Sequence, residues 1–111
     1  MSSDADSRPV WDATLAESVV GKVILVGLTY LSDDGGIMEQ DQFFGTVLSV
    51  HPRAGIVLLL AGQRDGKQYA LPPDTRSIEV APPGEYCLRA TGDVVCNPDF
   101  TVTFSISRPA F

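Results

Sequence analysis

Histidine, cysteine and clustered carboxylates are where chemistry would begin in this chain of 111 residues, and each is scarce. His51 is the only histidine. A complete Ser-His-Asp triad needs a base held by a partner and aimed at a nucleophile, and nothing around His51 supplies that setting. A multi-histidine metal site is excluded outright. His51 precedes Pro52 in His51-Pro52-Arg53-Ala54-Gly55, which reads as a tight connection. The sequence contains no glycine-rich phosphate loop, no Gly-x-Ser-x-Gly elbow and no His-Glu-x-x-His. No catalytic, metal or cofactor residue is therefore assigned, and the chain reads as a non-enzyme.

The two cysteines, Cys87 and Cys96, flank Ala90-Thr91-Gly92-Asp93, a hairpin signal. A two-residue or four-residue loop there sets Cys87 opposite Cys96 on a non-hydrogen-bonded pair, where a disulfide fits. A three-residue loop with a bulge glycine sets Cys87 opposite Val95 instead, and in a reducing cytoplasm both thiols would stay free. Asp33, Asp34, Glu39 and Asp41 form an acidic cluster around a hairpin tip. Their spacing departs from a calcium loop, so the cluster reads as a solvated tip or as an acidic surface for a basic partner. With Phe43 and Val47 on the following strand, these residues make the expected partner surface.

These side chains must be positioned by strands. Residues 1–8 are small and polar and read as a tail; a short helix is expected over 9–18, carrying Trp11. Val19 to Tyr30 is rich in Val, Ile and Leu. Gln42 to Val50 places Phe44, Leu48 and Val50 on one face and Phe43, Gly45 and Val47 on the other. Ile56 to Leu60 is apolar on both faces, and Lys67–Leu71 and Ile78–Val80 are shorter. Pro72-Pro73 must leave any ladder because two donors are missing. After Pro82-Pro83-Gly84 follow the Cys87/Cys96 hairpin and Phe100–Ser107. In that last strand Phe100, Val102, Phe104 and Ile106 alternate with Thr and Ser, the pattern of one wet face.

The chain is thus expected to be mainly β: a small five-stranded barrel over 19–80, with a short N-terminal helix and a hairpin-plus-strand extension over 81–111. Residues 9–111 form one domain. The stretch from Gly45-Thr46-Val47-Leu48-Ser49-Val50 through Ala54-Gly55-Ile56-Val57-Leu58 resembles the first motif of the Sm-like fold, a small barrel preceded by a helix. That resemblance implies RNA contacts, but the loop positions that carry Asp and Asn in the family hold His51 and Gly55. The family's second motif is replaced by Leu71-Pro72-Pro73-Asp74. The whole chain also resembles a small bacterial family with a Leu-Pro-Pro-Asp stretch and a Pro-Gly-Glu-Tyr…Asn-Pro-Asp-Phe tail, a likeness that implies no activity.

Charge narrows the partners. The net charge is −6, which argues against nucleic acid and anionic membrane, since counterion release needs clustered cations. Arg53, Arg64, Lys67 and Arg76 make residues 51–80 the only basic stretch, and its net charge is only +1. No apolar run approaches the ~20 residues of a membrane helix, and Met1–Arg8 lacks a signal-peptide pattern, so a cytoplasmic location is expected. Strands apolar on both faces need a cover outside the barrel: the Trp11 helix, the Phe100–Ile106 strand or a second copy. The function expected is a non-catalytic protein-interaction module, able to self-associate. The alternatives are an acidic immunity-type inhibitor of a basic toxin and a degenerate Sm-like RNA binder.

Overall fold

The computed structural model describes residues 11–107. The expected tail at 1–8 and the Pro9-Val10 start of the expected helix lie outside them. The described chain is mainly β, with one helix, α1 (Ala13–Ser18), followed by β1 (Val23–Leu31), β2 (Ile37–His51), β3 (Gly55–Leu60), β4 (Gln68–Leu71), β5 (Glu79–Val80), β6 (Glu85–Cys87), β7 (Val94–Cys96) and β8 (Phe100–Ser107). Asp12 sets the start of α1: its carboxylate accepts the Leu15 N–H at 3.1 Å, the bond expected of an N-cap.

Six strands form one sheet in the order β4-β3-β2-β1-β8-β5. The expected closed five-stranded barrel is corrected here. Among the described residues no ladder joins β4 to β5, so the sheet is open with two outer edges. The physical reason is the place taken by β8. It does not lie over the sheet as a cover but pairs in parallel with β1, Ile24 to Phe100 through Leu31 to Ser107. This sets Phe100, Val102, Phe104 and Ile106 level with Ile24, Val26, Leu28 and Tyr30, so two apolar rows share one face. β5 then pairs with the start of β8 rather than with the body of a barrel.

The inner face holds the core. Ile24, Val26 and Leu28 of β1, Phe43 and Val47 of β2, Ile56, Leu58 and Leu60 of β3, Leu71 of β4 and Val102 of β8 cluster with Val19 and Ile78. Trp11 and Leu15 pack against this cluster, and the Asp12 N–H donates to Thr75 Oγ1 at 2.9 Å, tying the helix start to the segment after β4. β2 is the pivot. It pairs with β1 from Ile37 to Thr46 and with β3 from Gly45 to His51. Gly45 sits where the two ladders overlap, and a Cβ there would run into the Leu59 carbonyl. A bulge between Val47 and Ser49 resets the alternation. Val50 therefore packs toward the core while Leu48 is exposed, separating residues that a strict period of two had placed on one face.

The β6–β7 hairpin forms a separate two-stranded sheet. Leu88 and Val95 are buried. The Arg89 N–H donates to Gln42 Oε1 at 2.8 Å, and Asp93 accepts the Gln63 N–H at 3.1 Å. The hairpin thus rests on the outer face of the sheet, where Leu59 nevertheless stays 40% exposed. Its register pairs Cys87 with Val94 and Cys96 with Glu85. Six residues, 88–93, form the loop, because the Leu88 N–H bonds Asp93 O and the Gly92 N–H bonds Leu88 O. The expected Cys87–Cys96 pairing is displaced to a diagonal, and both thiols are free and exposed.

Candidate functional site

The six residues expected to form a partner surface separate into three groups. Asp33 and Asp34 sit in the Ser32–Gly36 turn that joins β1 to β2. Asp34 accepts from the Ser32 hydroxyl and from the Gly36 N–H. These bonds, the Ser32 hydroxyl first, hold its carboxyl below the usual carboxylate range. Glu39 and Asp41 lie on β2, opposite Tyr30 and Leu28 respectively. Phe43 and Val47 are each 1% exposed and belong to the core, so their expected role at a surface is withdrawn. The apolar side chains that do reach solvent on β2 are Ile37, Met38 and Leu48, 67%, 50% and 42% exposed.

Asp41 is not a free carboxylate. Arg64, in the 3₁₀ turn Gly62–Arg64 after β3, grips it with two bonds, at 2.9 and 2.7 Å. Charge-assisted pairing of this bidentate kind fixes both side chains. The Arg64 hydrogen bonds hold the Asp41 carboxyl below its ordinary range and push the guanidinium up in turn. The guanidinium carbon lies 5.2 Å from the Phe43 ring centroid, and the Phe43 and Tyr69 rings are 5.0 Å apart. Burial, followed by the neighbouring Tyr30 phenol, pushes the Tyr69 hydroxyl up. Arg64 counted in the sequence only as one cation of a weak basic stretch. Nothing in its spacing from Asp41 signals the pair, since 23 residues separate them.

This latch sits beside an open strand edge. The Ala61 N–H reaches Phe44 O at 3.0 Å, whereas Val47 exchanges bonds with Gly21 and Lys22 on the β1 side. Main-chain groups of a strand residue share one side, so odd-numbered residues of this stretch face β1 and even-numbered ones face the β3 side. β3 ends at Leu60, opposite Gly45. From Phe44 back to Gln40 the even residues therefore meet no strand among the described residues. Asp41 covers part of this edge, its Oδ1 accepting the Gln42 N–H at 2.9 Å. A bulge at Met38, where Tyr30 pairs with Glu39 and Leu31 with Ile37, ends this alternation, so the Gln40 N–H is the one that remains outward. Unpaired edges of this kind are templates for another strand.

His51 is absorbed by structure: its Nδ1 accepts from the Arg53 and Ala54 N–H groups at 3.0 and 3.2 Å, capping the β2–β3 turn. Among the described residues no group of three or more His, Cys, Asp or Glu is placed to hold a metal ion. Among them, too, no helix is long and apolar enough to cross a membrane. Known proteins offer no template for the site. Neither the models of protein families, nor curated proteins, nor solved structures match this chain.

Proposed function

We propose that this protein is a non-catalytic interaction module that receives an extended, basic segment of a partner protein along the open edge of β2. The observation that carries the reading is the Gln40–Gln42 edge, with the outward Gln40 amide beside exposed Ile37 and Met38. Strand addition draws affinity from main-chain bonds and specificity from alternate side chains. Charge selects the partner. Residues 23–52 carry Asp33, Asp34, Glu39 and Asp41 and no lysine or arginine, and Arg64 engages one of the four. Bringing two such arms together sets like charge against like, which disfavours self-association through this edge and favours a basic partner. An acidic inhibitor of a basic toxin is one biological form of the same reading.

Nucleic-acid binding finds less support. Of the four cations in residues 51–80, Arg64 and Arg76 are spent on Asp41 and Asp74.

The test uses an alternating Lys-Val peptide, its counterpart N-methylated at alternate amides, and an alternating Glu-Val peptide, followed by amide NMR. The expected result is movement of Met38–Gln42 resonances with the unmethylated Lys-Val peptide alone, weakening as salt rises. Gln40→Pro removes an outward N–H without touching the β1 ladder, because the Gln40 amide faces away from β1, and it should abolish the response. Equal binding of all three peptides, or an unchanged response in Gln40→Pro, overturns the reading.

A further inference from the structure

On the outer face, where the hairpin cover stops, the sheet steps down into a groove of about 430 Å³ bordered by Gly27, Thr29, Gln40, Gln42, Thr103 and the Arg89–Ala90 wall. That volume falls within the ~300–1,000 Å³ of small-molecule sites. Gly27 lies between Gln42 and Thr103 in the register, so the centre of the floor carries no side chain.

The wall is built before any ligand arrives. Leu88 anchors it from the buried side, and the Arg89 N–H is fixed on Gln42 Oε1. The loop closes on itself through the Gly92 N–H to Leu88 O at 2.7 Å, and Asp93 ties it to Gln63. A preformed wall lowers the ordering cost of binding.

The chemistry around the groove is one-sided. Thr29 and Thr103 bring hydroxyls, and Gln40 and Gln42 bring amides. With its oxygen already occupied, Gln42 has its NH₂ left to donate. The one acidic residue at the border, Asp41, has its carboxylate held by Arg64. Arg89 is the only cation, and among the described residues its guanidinium makes no ion pair or hydrogen bond. A lone guanidinium flanked by neutral donors matches a carboxylate, which it can take bidentately. A phosphate dianion would call for a second cation or a nest of backbone amides.

We infer that this groove binds a small carboxylate ligand rich in hydrogen-bonding groups, with the carboxylate on Arg89 and its other polar groups on Gln42, Gln40, Thr29 and Thr103. This goes beyond the strand-edge reading and stands on a different face of β2.

Two sources present that chemistry, a free hydroxy acid and the C-terminus of a peptide. Amide NMR of the full chain with malate, with trialanine and with trialanine amide separates them. The expected result is a saturable shift at Gly27, Gln42, Arg89 and Thr103 with at least one of the two acids. Trialanine alone assigns a peptide terminus; malate alone, a free acid. Trialanine amide should bind at least about tenfold more weakly than an acid that binds, since it lacks the charge-assisted pair.

Arg89→Gln keeps the backbone bond to Gln42 and should weaken binding to a similar degree. Gly27→Ala is the second variant. Its Cβ would meet Thr103 Cγ2 at 3.4 Å, an ordinary contact, so the fold is kept while the floor rises. It should weaken binding without lowering thermal stability. Absence of a saturable shift with either acid at about 10 mM, equal binding of the amide, or full binding by Arg89→Gln overturns the inference.

Discussion

Asp41 turns a feature of composition into a local device. Its folded pKa is depressed by Arg64, so its share of stability is present above the ordinary carboxylate value and is lost as pH falls through the folded value. Asp41→Asn should therefore flatten the acid limb of the stability curve below about pH 4, read from urea melts across pH. An acid limb identical to wild type would show that the pair contributes nothing. With side chains 29% and 21% exposed, the pair is screened enough that Arg64→Ala should cost only about 1–2 kcal/mol. Phe43 is the opposite case. At 1% exposure, Phe43→Ala should cost about 3–5 kcal/mol in the same assay. A loss below 1 kcal/mol, roughly that of a surface substitution, would contradict its place in the core. Gly55 has φ +96°, and a Cβ there would run into the Leu71 carbonyl, so Gly55→Ala should cost at least about 2 kcal/mol through strain and displacement of β4.

Most elements were legible from alternation and turn residues, and their partners were not. Phe100–Ser107 reads as a strand with one apolar face and is one. Nothing in its pattern says whether that face lies over a sheet or continues one, because both arrangements bury the same side chains. β2 extends from Ile37, well before the expected start at Gln42. The polar run Glu39-Gln40-Asp41 carries no strand signal, and pairing with β1 makes it strand. A single bulged residue, Leu48, then turned the expected face assignment of Val50. The hairpin failed in register for a similar reason: a six-residue loop closed by Leu88 and Asp93 replaced the tight turn that the Thr91-Gly92 pair suggested. Diagonal residues of this kind have Cα atoms ~7–8 Å apart, too far for an unstrained disulfide. Thiol titration of the native protein should find both cysteines reactive after exposure to air. Changing Cys87 and Cys96 to Ser together should alter stability by no more than about 0.5 kcal/mol. One unreactive pair by thiol titration would refute the register.

At the scale of the molecule, charge and coverage are settled on different faces. The inner face closes over its own core, helped by α1 and Ile78. The outer face is shared between the hairpin, which covers it, and a groove, where cover ends. The β1–β2 arm, which also carries an open edge, holds four carboxylates and no lysine or arginine. β1 is the central strand, yet its two neighbours come from very different places: β2 follows directly, and β8 is the last described strand. Contacts that distant in sequence slow folding, so refolding should relax over milliseconds to seconds rather than microseconds in stopped-flow fluorescence of Trp11. During synthesis the same topology imposes an order. Until Phe100–Ser107 has left the ribosome, Ile24, Val26 and Leu28 present an apolar strand with one side unclaimed. A nascent chain halted before residue 100 is a sticky fragment rather than a smaller version of the protein, and ribosome-stalled chains of that length should engage chaperones that the finished chain does not need.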